Sequence, residues 1–110
     1  MIKYVYIYKM EKSLYYYYDP NHGGCLRIVN KTDRNNYIIK GAYGSDEGKK
    51  GSWVATAEKK PVFEHKGEKY NLIVDFSMKK IKNHGPIYYA YIANRKIKWQ
   101  DGNVWLQMYA

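Results

Sequence analysis

The stretch Leu14–Pro20, LYYYYDP, sets four consecutive tyrosines in front of an Asp-Pro stop. Tyrosine is a strand former that joins an apolar ring to a polar tip. In a strand, side chains alternate faces, so Tyr15 and Tyr17 point one way and Tyr16 and Tyr18 the other. The run therefore reads as two ring pairs: one completes a core and the other lies on an outer surface. Pro20 cannot donate to a ladder, and Asn21-His22-Gly23-Gly24 is turn composition.

The same period-two alternation recurs along the chain. Upstream, Ile2, Tyr4, Tyr6, Tyr8 and Met10 share one face of a predicted strand. Downstream come CLRIVN, NYIIKGAY, SWVATAE, YNLIVDFSM, PIYYAYIA, KIKWQ and NVWLQM, separated by DRNN, GSDEGKKG, HKGE, NHGP, NR and DG. Asp101-Gly102 between two strand-like runs is a hairpin signal. Nine or ten short strands without a helical period predict an all-β fold, a compact antiparallel sandwich or barrel with little or no helix. Residues 1–110 form a single domain on this reading. A weak internal repeat, about 13–57 and 69–108, predicts two related β-meander units. Trp53 and Trp105 hold equivalent places in it, as do Tyr37 and Tyr89. The segment KKPVFEHKGEK would link the halves and carry a short edge strand.

Composition narrows the function classes. No apolar run approaches the ~20 residues of a spanning helix, so no membrane insertion is expected. The start, MIKYVYIYKM, lacks the apolar region and cleavage site of a signal peptide. Cys25 is the only cysteine, which rules out an internal disulfide and fits a reducing compartment, or assembly in one. The net charge is +9, with 19 Lys and Arg against 10 Asp and Glu. Arg27, Arg34 and Arg95 are the only arginines, a lysine bias that favours general electrostatics over base reading.

Catalysis and metal binding find little support. His22-x2-Cys25 is half of a zinc-knuckle spacing, with His65 and His84 as the remaining nitrogen ligands, but no second close pair exists. The simpler reading is a turn followed by a strand that starts on a small hydrophobe. Cys25 and a histidine lack a third, orienting residue at a suggestive spacing. GAYGSDEGKKG is glycine-rich without the phosphate-loop pattern. The protein is expected to be no enzyme, with no cofactor and no metal.

Two kinds of contact residue remain. In NVWLQM, Val104, Leu106 and Met108 read as inward and Trp105 as outward. Tyr16, Tyr18 and Trp105 are therefore candidate protein-contact residues, in a homodimer with two-fold symmetry. Lys49, Lys50, Lys79, Lys80, Lys82, Lys96 and Lys98, interleaved with aromatics, are candidate nucleic-acid contacts under the alternative that the protein packages nucleic acid.

Two resemblances add to this. GPIYYAYIANRKIKWQDG, Gly85 to Gly102, resembles the second half of a WW domain in its paired tyrosines, its Asn turn and its Trp on the next strand. The His after the tyrosine pair and the Pro after the Trp are absent. The resemblance implies a proline-peptide platform of Tyr89 and Trp99. The combination YDPNHGGCLRI, YGSDEG, VDF and KIKWQDGNVW resembles small basic virion-associated proteins of the large DNA viruses, of the marseillevirus type. That resemblance implies a structural virion protein, a minor capsid component docking on the major capsid protein, and brings no catalytic residues.

Overall fold

The computed structural model describes residues 13–22, 26–44, 50–77 and 86–108. Eight strands follow one another: β1 (Leu14–Tyr18), β2 (Leu26–Lys31), β3 (Asn36–Gly44), β4 (Lys50–His65), β5 (Glu68–Asp75), β6 (Ile87–Ala93), β7 (Lys96–Trp99) and β8 (Val104–Met108). Each pairs antiparallel with the next, and β1 pairs with β8, so the meander closes into a barrel. The described residues contain no helix. The expected strand at Ile2–Met10 lies outside the described residues, as do Cys25, His84, Lys49, Lys79, Lys80 and Lys82.

Local chemistry sets the turns. Asn94 and Arg95 both take positive φ, 53° and 64°, between the paired residues Ala93 and Lys96. That is the two-residue turn whose twist matches the flanking strands. Lys66 and Gly67 do the same between His65 and Glu68. After β2, the Asp33 carboxylate accepts the backbone N–H groups of Asn35 and Asn36 at 2.9 and 3.0 Å. At Asp101-Gly102 the expected hairpin forms. Gly102 sits at φ 94°, and the Asp101 carboxylate accepts the Asn103 N–H at 2.9 Å.

The interior follows period two around the whole barrel. Tyr17, Val29, Tyr37, Ile39, Trp53, Ala55, Ala57, Leu72, Val74, Phe76, Ala90, Ile97, Trp99 and Trp105 form one core, with Tyr15, Tyr88 and Ile92 packed against it. Large rings need small neighbours in so narrow a space. Gly41 is the direct cross-strand partner of Trp53, and a Cβ at Gly41 would run into the indole ring. Trp99 and Trp105 lie 4.7 Å apart between ring centroids, and Trp53 and Trp105 6.4 Å apart.

Two expectations need correction here. KKPVFEHKGEK is no linker with a short edge strand: residues 59–65 continue the sixteen-residue β4, which turns back into β5. The pairing skips between Lys59 and Phe63, because Pro61 has no N–H to give the ladder and a bulge absorbs it. Beyond the bulge, Phe63, His65 and Tyr70 gather round Tyr89, at centroid distances of 5.2, 4.9 and 5.7 Å from it. The second correction concerns β8. Trp105 points into the barrel and is 4 % exposed, whereas Leu106 points out. The partner strand decides this: Trp105 stands directly opposite Ile97, which is fully buried.

Candidate functional site

Strands β2, β1 and β8 are neighbours, and their outward residues fall in register. Tyr18 is directly opposite Leu26 on one side and Leu106 on the other. Directly opposed Cβ atoms stand about 5 Å apart, so the three side chains make one continuous row. All three are exposed, at 41, 41 and 43 %. Two residues along, Tyr16 is opposite Ile28 and Met108, all half-buried. Leu14 extends the same face and is exposed. The outer wall over these three strands is thus apolar across two full rows, which is unusual for a surface facing only water.

Lysines border this wall on both flanks. Lys40 of β3 is opposite Ile28, and Lys96 of β7 is opposite Leu106. Lys98, next outward on β7, is opposite Val104. Lys40, Lys96 and Lys98 are exposed. Strands β1, β2, β3, β7 and β8 contain no aspartate or glutamate.

A charged cluster sits directly behind the row. Tyr18, Leu26 and Leu106 are each next in sequence to a buried residue: Asp19, Arg27 and Trp105. Asp19 and Arg27 are 1 and 2 % exposed. An Arg27 Nη donates to the Asp19 carboxylate at 3.2 Å, and the other Nη donates to the carbonyls of Leu26 and Ala42 at 3.0 and 3.1 Å. The guanidinium lies 5.3 Å from the Trp53 ring centroid and 5.6 Å from that of Trp105. Stacking on indole faces stabilises a buried cation. The Asp19 carboxylate also accepts the Asn21 N–H and the Asn103 amide, each at 3.1 Å, and pairs with His22 Nδ1 at 2.8 Å. Burial pushes the Asp19 carboxyl up, but Asn103, Asn21, His22 and Arg27 together outweigh it and hold the carboxyl below its ordinary range. The ion pair thus pins the ends of β1 and β2 and fixes the row in front of it.

Of the expected contact residues, Tyr16 and Tyr18 belong to the wall and Trp105 does not. The WW-like platform does not form. Trp99 is opposite Ala90, inside the barrel, whereas Tyr89 takes the other face of β6 beneath Phe63, His65 and Tyr70. Lys50 begins β4, and Lys96 and Lys98 flank the wall. Leu26 and Leu106 are the wall residues that sequence reasoning did not single out, and Leu106, expected inside, points out. Of the described histidines, His22 is bound to Asp19 and His65 packs on Tyr89.

A groove of about 630 Å³ runs between the β4–β5 turn and the outer side of β6 and β7. Lys69, Tyr91 and Lys98 line it, with Tyr91 directly opposite Lys98. Among the described residues no helix is long and apolar enough to cross a membrane. Comparison with family models, curated proteins and solved structures returns no match.

Proposed function

We propose that the protein is a non-enzymatic structural component that works by docking through the outer wall of β2, β1 and β8. The observation behind this reading is the in-register row of Leu26, Tyr18 and Leu106, three exposed apolar side chains held rigid from behind. A row of this kind supplies contact area at reduced entropic cost, because its backbone is already ordered by strand pairing. Together with the resemblance to marseillevirus-type virion proteins, the role is that of a minor capsid component. The wall would be covered by a capsid subunit, or by a second copy in a two-fold pair that uses Tyr16 or Tyr18. Hydroxyl-radical footprinting of purified particles against the free protein tests this. Protection should concentrate on Tyr16, Tyr18, Leu26 and Leu106. Absence of the protein from particles, or an unprotected wall within them, would overturn it.

The groove favours a second reading, nucleic-acid packaging. Exposed Tyr91 offers a ring for base stacking, with Lys98 and Lys69 beside it for phosphates. Binding to single-stranded DNA should then weaken steeply with salt. Lys69→Ala and Lys98→Ala should each reduce the slope of log K against log salt by about one. No binding near physiological salt would discard this reading.

A further inference from the structure

We infer that the wall's partner is a different protein whose matching surface is apolar with a carboxylate rim, and that a second copy of the chain is not the occupant. This rests on the docking reading above and adds the partner's chemistry. The centre of the wall is aliphatic and aromatic: Leu26, Ile28, Tyr16, Tyr18, Leu106 and Met108. Phosphates cannot cover such a centre favourably, since burying them there would strip their hydration without pairing them. A protein surface can.

The rim selects the kind of protein. Lys40 closes one flank and Lys96, followed by Lys98, the other. No carboxylate interrupts the five strands that make up the wall and its flanks. A two-fold contact is built from the same patch twice, so basic rim meets basic rim. Among the described residues nothing on the wall itself offers the opposite charge, and the whole chain is +9. Like charges brought together at an interface oppose association, whereas complementary potentials speed encounter and fix register. The wall is therefore self-compatible in its apolar centre and self-incompatible at its edges. A surface with Leu-like side chains inside a ring of Asp and Glu satisfies both parts.

The test builds that surface from the protein itself. Lys40→Glu with Lys96→Glu and Lys98→Glu gives a copy with the same apolar centre and an acidic rim. All three positions are exposed, so the variant should fold; circular dichroism checks this. In analytical ultracentrifugation the wild type alone should remain monomeric, whereas an equimolar mixture with the reversed copy should form a one-to-one complex. Tyr18→Ser with Leu106→Ser in either member should abolish the complex, and added salt should weaken it. Three outcomes would overturn the inference: wild type that dimerises through the wall, a mixture that stays monomeric, or wild type that ignores the reversed copy but binds phosphatidylserine-containing vesicles through Tyr18 and Leu106. The first leaves docking intact and changes only the partner. Loss of footprint protection in particles removes docking itself, so the two failures are separable.

Discussion

The buried pair of Asp19 and Arg27 is the clearest case of one residue governing another. Truncating one partner leaves a charge in the interior, whereas removing both leaves only a packing change. Asp19→Ala should therefore cost about 3–5 kcal/mol in urea unfolding. The double change Asp19→Asn with Arg27→Met should recover much of that loss, because a long apolar side chain can still pack against Trp53 and Trp105. Two groups also shape stability against pH, in opposite directions. The folded Asp19 carboxyl lies below its ordinary value of 3.8, so its contribution is present above that value and is lost as acid protonates the folded form. Burial, with the neighbouring Tyr37 and Tyr15, pushes the Tyr17 phenol from 10.0 to about 12. Its contribution is present below pH 10.0 and disappears between there and about pH 12, because the unfolded chain ionises first. Melting temperature against pH should show both limbs. Asp19→Asn should flatten the acid one and Tyr17→Phe the alkaline one. The tyrosine run was legible in the sequence as two pairs, Tyr15 with Tyr17 and Tyr16 with Tyr18, on opposite faces; that the first pair turns to the core is settled only by the closed barrel. The ion pair was not, since Arg27 within CLRIVN reads as a surface cation until β4 and β8, each two strands away round the barrel, bring the indole rings of Trp53 and Trp105 to it.

At the scale of elements, Asn71 replaces a stretch of ladder. Its side chain donates to the Ile92 carbonyl at 3.0 Å and accepts the Ile92 N–H at 2.8 Å. These bonds join β5 to β6 beyond the last backbone pair, Leu72 with Ala90. Asn71→Ala should cost about 1–3 kcal/mol, since it orphans a part-buried donor and acceptor. Hydrogen exchange should quicken at the Ile92 amide and remain slow at Ile39 and Ile97, deep in the barrel. Strand existence and most hairpins could be read from alternation and turn residues, because both are local. Two elements could not. Pro61 and four charged residues made β4 look interrupted, although a bulge lets it continue. In NVWLQM the pattern offers apolar residues on both faces, and only the cross-strand partner Ile97 settles which one faces inward.

Taken whole, the molecule separates what holds it together from what it presents. The core lies inside the ring of strands and the wall lies outside it, so the two respond to different substitutions. Tyr18→Ser with Leu106→Ser should shift stability by about 0.5 kcal/mol per site or less while abolishing docking. Gly41→Ala should do the reverse in kind, lowering stability by about 2 kcal/mol through overpacking against Trp53 and leaving the wall's chemistry as it is. Urea melts paired with the binding assay distinguish the two classes. The barrel itself was one of two architectures that the sequence left open. Choosing it over a sandwich depends on β1 meeting β8, a contact between distant parts of the chain that no local window contains.

That closure also shapes how the protein is made. Every other pairing joins consecutive strands and can form with a short loop, whereas Tyr16 must find Met108 across nearly the whole described chain. Long loop closure is slow to be rewarded, so the last species before closure should be an open ribbon with β1 and β8 unjoined. Only that species displays two bare strand edges, and edges of this kind recruit one another. Refolding yield should therefore fall as protein concentration rises, although the finished barrel has no edge at this seam to offer.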